Sequence, residues 1–223
     1  MFIGHYGAAL ALKPAARNVS LLWLFLAAEW LDLVFNTLGL AGVEKVRIAP
    51  GITEANPLDL YYYPFSHSLL AAVLWSLLAY ALVRLLPLKS TVNKSRVAMI
   101  MALAVFSHWI LDFVTHIPDL SLWGGEMKVG LGLWQSAKWS FIVESLLFAA
   151  TLIYYLSATR TTTFRQSWGL VILCAILFGL FALSFAGGPP PTVAVMMIVG
   201  LVTNLIAALA AGWLAREPLP SVR

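Results

Sequence analysis

The sequence predicts an all-α fold: a polytopic membrane bundle of about six transmembrane helices, preceded by a short re-entrant N-terminal helix. Three observations predict it. Hydrophobic residues make up 61% of the 223 and charged residues only 11%, and the mean hydropathy of +0.87 lies well outside the range of soluble domains. Six apolar stretches approach the roughly 20 residues that cross about 30 Å of hydrocarbon at 1.5 Å per residue. The basic residues between them fall mainly on one side, as membrane topology requires.

The first twelve residues, MFIGHYGAALAL, are apolar but too short to cross. If Lys13 and Arg17 sit at the cytoplasmic surface, a helix running back from them places His5 about 12 to 18 Å deep. The segment then reads as a half-helix dipping into the bundle; its alternative is an amphipathic helix lying on the membrane surface. The run from Val19 to about Gly42 is too long for a signal-peptide core and reads as a retained span. The six spans are approximately 20–41, 65–86, 97–115, 136–157, 168–186 and 193–214.

Ten basic residues (Lys13, Arg17, Arg84, Lys89, Lys94, Arg96, Arg160, Arg165, Arg216, Arg223) fall on one side and four (Lys45, Arg47, Lys128, Lys138) on the other. That asymmetry predicts both termini in the cytoplasm. The two longest connectors, 42–64 and 116–135, are then outside, where Tyr61, Tyr62, Tyr63, Trp123 and Trp134 suit an interfacial belt. GGEMKVGLGLW reads as an ordered outer loop or lid, since its glycines follow no strand of a nucleotide fold. In AGGPPPT, Pro190 and Pro191 forbid helix continuation. Spans five and six carry almost nothing ionisable, so 158–223 is expected to be two scaffold helices beside a site-bearing part, 1–157, of one domain.

The formal charge of +4 comes from scattered residues that make no basic stripe, which argues against nucleic acid as a partner. Cys174 is the only cysteine, so no intrachain disulfide or redox pair exists.

Ionisable groups inside spans cost about 2.5 to 3.5 kcal/mol each and mark functional sites. Here they are Glu29 and Asp32 in span one, His67 at the start of span two, His108 and Asp112 in span three with His116 at its end, and Glu144 in span four. By helix rise, His5, Asp32, His67, His108 and Asp112 share the outer half of the bundle. Residues four apart share a helical face, so His108, Asp112 and His116 form a row about 12 Å long. A single ion with bonds of about 2.0 to 2.1 Å cannot take ligands from both ends of a straight row. Two ions about 3.5 to 4 Å apart, with Asp112 central, would fit, as would one ion with the second histidine supporting it.

Glu29 shares a face with Asp32 and is a candidate general base or supporting partner. Glu144 has no motif around it and reads as structural. Asp59 reads as a solvated loop carboxylate, and Asp119 as the same or as an outlying ligand. Ser66, Ser68 and Ser107 neighbour histidines without a nucleophile elbow, so serine catalysis is the weaker chemistry.

MFIGHYGAALA, YPFSHSLL, SHWILDFVTHIPDL and KVGLGLW together resemble the YdjM-like family of bacterial inner-membrane proteins, described as membrane-bound metal-dependent hydrolases. The likeness covers roughly residues 1–150. It implies a polytopic bundle in the bacterial inner membrane, hydrolytic chemistry, and one or two divalent ions, zinc first, on His5, Asp32, His67, His108, Asp112 and His116. The expected activity is metal-assisted hydrolysis of a lipid or lipid-linked ester or phosphoester, with Asp112 and Glu29 as the catalytic carboxylates. The competing expectation is a proton- or metal-linked transporter using the same cluster, and a third is a catalytically inactive scaffold that retains the metal.

Overall fold

The computed structural model describes residues 1–87, 93–159 and 163–215. Lys89, Arg160, Arg216 and Arg223 of the basic tally lie outside them. The described fold is helical: α1 (Ile3–Leu12), α2 (Leu21–Ala28), α3 (Trp30–Leu40), α4 (Pro64–His67), α5 (Leu69–Leu85), α6 (Lys94–Thr115), α7 (Ala137–Ala158), α8 (Leu170–Ala186) and α9 (Val193–Leu214). Two small antiparallel hairpins interrupt it. β1 (Lys45–Ile48) pairs with β2 (Leu58–Tyr62), and β3 (Leu120–Ser121) with β4 (Lys128–Val129).

Four helices are long and apolar enough to cross a membrane: α6, α7, α9, and α8 together with the π-helical turn Arg165–Gly169 that leads into it. The expected count of six is therefore not reached on length and composition. Helices α2 and α3 form a pair bent by 57° at Glu29, which makes five if the pair is one span. The second expected span is divided at Ser68, whose backbone is extended (ψ 152) and whose hydroxyl accepts from Ala71 N at 3.0 Å. A serine cap starts a new helix here, leaving α5 with 17 residues, about 26 Å by helix rise.

Helix α1 enters the bundle as expected of a half-helix. Ile3, His5, Tyr6, Ala9 and Leu10 are fully buried among α2, α6 and α7. Gly7 permits the approach to α7, because a Cβ there would stand 2.8 Å from Thr151 Oγ1. Tyr6 donates to Asn204 Oδ1 of α9 at 2.8 Å, satisfying two buried polar groups that would otherwise each cost about 1 to 3 kcal/mol.

Helix α6 stops at Thr115. Ile117 precedes Pro118, which disfavours helical backbone there, and His116 is already extended (ψ 147). The loop of KVGLGLW then folds back onto this end: Leu131 N donates to Phe113 O at 2.8 Å and Gly132 N to His116 O at 2.7 Å. Gly132 takes the left-handed conformation (φ 75) that side chains other than glycine rarely adopt. That turn carries Trp134 to His116, ring centroids 4.0 Å apart.

Candidate metal centre

Five segments deliver the cluster: His5 from α1, Asp32 from α3, His67 from the end of α4, His108 and Asp112 from α6, and His116 from just beyond it. The structure brings all six expected residues together. His67 Nε2 lies 3.3 Å from His108 Nε2. Asp32 Oδ1 stands 3.4 Å from His67 Nε2 and 3.6 Å from His108 Nε2, while Asp112 Oδ2 stands 3.4 and 3.2 Å from the same two nitrogens.

Those separations can be tested against an ion. Ligands of a tetrahedral ion at about 2.0 to 2.1 Å are about 3.3 to 3.4 Å apart. Two triangles sharing the His67–His108 edge therefore each have the dimensions of one face of such a site. The donor atoms of His5, Asp32 and His108 also lie within 4.8 Å of one another. His5 stacks on His108 with centroids 3.6 Å apart and planes 5° from parallel, and neither of its ring nitrogens has a hydrogen-bond partner among the described residues. Its Nε2 stands 3.2 Å from Asp112 Oδ1 without the geometry of a hydrogen bond, and an imidazole so buried gains from a partner at either nitrogen.

The other oxygen of Asp112 faces a different set. Oδ1 lies 3.2 Å from His5 Nε2, 3.7 Å from His116 Nε2 and 2.5 Å from the α-amino group of Met1. The expected straight row is thus resolved into two ends of one carboxylate: His108 meets Oδ2 and His116 meets Oδ1.

Three of the four imidazoles are held by Nδ1, leaving Nε2 for the cluster. His108 Nδ1 donates to Ala28 O at 2.7 Å, a carbonyl in the last turn of α2. His116 Nδ1 donates to Asp119 Oδ1 at 2.9 Å, and Tyr63 donates to the same oxygen at 2.7 Å. His67 Nδ1 meets Ser66 Oγ at 2.8 Å, and Ser66 Oγ meets Glu44 Oε2 at 2.7 Å. The carboxylate can only accept, so the hydroxyl donates to Glu44 and accepts Nδ1–H from His67. Such partners of the second nitrogen fix the tautomer that leaves Nε2 as a lone-pair donor.

Glu44 is the residue that the sequence reading missed. It is 2% exposed and also accepts from Phe65 N and Ser66 N at 2.8 and 2.9 Å. In GVEKVR it looks like any connector carboxylate, and only the folding of α3 against α4 reveals its role. Ser66 stands between a carboxylate and a histidine, the wrong order for a nucleophile, which needs the histidine in the middle. Tyr63 also departs from expectation: Tyr61 and Tyr62 are exposed like an interfacial belt, but Tyr63 turns inward at 5% exposure. Burial, with the Asp119 carboxylate next, holds its phenol well above the usual range, so it stays a hydrogen-bond donor.

Glu29 sits at the α2–α3 bend, 1% exposed, and its Oε1 has no partner among the described residues. It does not line the cavity described next. Glu144 accepts from Phe2 N at 2.9 Å and so anchors the start of α1. Asp59 pairs with Arg47 at 2.6 Å on the surface of the first hairpin.

A cavity of about 530 Å³ opens beside the cluster, within the size range of small-molecule sites, about 300 to 1,000 Å³. Asp32, Tyr63, His67, Asp112, His116 and Trp134 form its polar end. Asp32 is 32% exposed, against 2% for Asp112. Its far wall comes from α8 and α9, the helices expected to act as scaffold.

The chain matches no family model, no curated protein and no solved structure.

Proposed function

We propose that the protein is a membrane-embedded, metal-dependent hydrolase of a lipid or lipid-linked ester or phosphoester. The observation that carries this reading is the convergence of His67, His108, Asp32 and Asp112 at 3.2 to 3.6 Å, with the imidazoles locked from behind. His67, His108 and Asp112 would hold one divalent ion, zinc first by donor type, as three protein ligands that leave a fourth position for water, with Asp32 beside that position and His5 and His116 on the remaining side of Asp112. When bound, such an ion lowers the pKa of its water towards about 7 and polarises the scissile group.

The residues of the chain do the rest. Asp112, nearly dry, orients the histidines on both its oxygens. Asp32 is the cluster carboxylate that opens most to the cavity, and it is placed ahead of Glu29 to take the proton of the attacking water. Tyr63 keeps His116 and Asp119 in register. In this reading the site lies in the outer half of the bacterial inner membrane, with both termini cytoplasmic.

Elemental analysis of the purified protein tests it. One or two zinc-like ions per chain are expected, and a metal-free preparation with intact histidines would sink the reading. Lipidomics of cells with and without the protein separates hydrolase from transporter: a hydrolase changes a lipid class, whereas altered metal accumulation over an unchanged lipid profile means transport.

A further inference from the structure

The cavity is not confined to the cluster. From Asp32 and His67 it continues past Phe35 to a wall made by Leu180, Ser184 and Phe185 of α8 and by Met196, Val199 and Thr203 of α9, and Gly188 and Pro190 of the connector between the two helices line it as well. Most of this far lining is hydrocarbon. Both helices belong to the membrane-crossing set, and Leu180 and Val199 are 43% and 57% exposed while lining the same space. The cavity therefore has a polar, ion-binding end in the bundle and an apolar end reached from the faces of two helices that meet hydrocarbon.

We infer that the space between α8 and α9 is the hydrocarbon arm of the site: it takes one acyl chain of a membrane lipid whose ester or phosphoester lies at Asp32 and His67. The occupant follows from the walls. A free water-soluble ester would leave the apolar arm wet, forgoing the burial of hydrocarbon that could have filled it. A wholly apolar molecule would leave His67, Asp32 and His116 without a polar partner. Only an amphiphile satisfies both ends, and it enters sideways from the membrane between α8 and α9. The head end rests on the proposed hydrolase reading; the tail end does not.

Photocrosslinking tests the arm without needing turnover or metal. The full-length protein is placed in phosphatidylethanolamine and phosphatidylcholine vesicles doped with a phospholipid carrying a terminal diazirine on one acyl chain, and adducts are mapped by peptide mass spectrometry. Adducts are expected on Leu180, Ser184, Met196 and Thr203, in addition to the outward-facing Leu183 and Ile206, which are 65% and 59% exposed and meet lipid in any case. Ser184→Trp fills the arm and should reduce the adducts on Leu180, Met196 and Thr203 to background, with those on Leu183 and Ile206 unchanged. Thr203→Trp, from the facing helix, should do the same for Leu180, Ser184 and Met196 and guards against misfolding of the first variant. Adducts confined to Leu183 and Ile206, or cavity adducts that neither tryptophan lowers, overturn the inference. Metal analysis of the same untreated preparation separates the two readings: cavity adducts in a protein purified without metal leave the arm standing and remove the hydrolase, whereas bound metal without cavity adducts does the reverse.

Discussion

Under the proposed function, Asp112→Ala is expected to strip the metal from the protein and abolish hydrolysis, the largest effect of any single substitution. Its Oδ2 lies 3.2 Å from His108 and 3.4 Å from His67, while its Oδ1 faces His5 and His116. Among the described residues Asp112 is the carboxylate that sets one oxygen against each pair of histidines. Structural zinc sites bind with about 10 to 16 kcal/mol over four ligands, so one ligand is worth about 2.5 to 4 kcal/mol, or roughly a hundredfold to a thousandfold in affinity. Competition with a chromogenic chelator reads that loss directly. Asp112→Asn, which keeps the volume but removes the charge, should fall between Ala and the native protein; normal metal content in both variants would show that Asp112 is not a ligand. His116→Ala and His5→Ala complete the test. If Asp112 bridges two ions, either variant lowers the stoichiometry from two to one and leaves the ion at His67 and His108 in place. If it serves one, the stoichiometry does not change.

The members of this cluster stood out in the sequence because each breaks a strong rule, as Glu29 and Glu144 also do, and the choice of these six as ligands came from the resemblance. Imidazoles and carboxylates inside apolar spans are expensive, so His5, Asp32, His67, His108, Asp112 and His116 stand out against their neighbours. Depth could be counted at 1.5 Å per residue from the flanking basic residues, and the count placed all of them but His116 in the outer half of the bundle. What could not be read was anything set by tertiary packing. The bend at Glu29 carries no proline or glycine, and nothing local announces 57°. The break at Ser68 did have a local cause in its capping hydroxyl, but the apolar run through 65–86 masked it. The end of α6 was similarly hidden: treating His108 to His116 as one straight helix ignored Pro118, and the exit of the chain at His116 is what lets that ring turn back to Asp112.

Polar partners were the least legible, because a hydrogen bond between residues 20 to 80 apart has no periodicity. Ala28 O reaches His108 only through the packing of α2 on α6. Tyr63 is one of three consecutive tyrosines, and β2 ends at Tyr62; the sequence does not say which of the three leaves the surface. That α8 and α9 line the cavity was not legible for the opposite reason. A cavity wall for hydrocarbon needs only the residues that a lipid-facing helix already has, so composition cannot separate the two.

Glu44→Gln is expected to weaken metal binding about 10- to 100-fold, the range for a residue that supports a ligand from behind, although Glu44 itself touches no member of the cluster. The reason is the direction of two hydrogen bonds. In the native protein Glu44 Oε1 accepts two backbone N–H groups, from Phe65 and Ser66, and Oε2 accepts the Ser66 hydroxyl. A glutamine that keeps its oxygen on the two N–H groups must point its NH2 at Ser66 Oγ. The hydroxyl then accepts from Gln and donates to His67 Nδ1, so the proton of that ring moves to Nε2, the atom the ion needs. Turning the amide over instead sets its NH2 against two backbone donors, which costs more. The tautomer can be read without any metal, from the long-range ¹⁵N–¹H correlations of His67 in chelator-treated protein: Nδ1–H in the native chain and Nε2–H in Glu44→Gln. A merely structural carboxylate would lower stability and leave the tautomer alone. Ser66→Ala cuts the relay at its middle, so adding Glu44→Gln to it should cost little further affinity, a coupling that a double-mutant cycle measures. An unchanged tautomer, or fully additive losses in the cycle, would show that Glu44 does not act through Ser66 on His67.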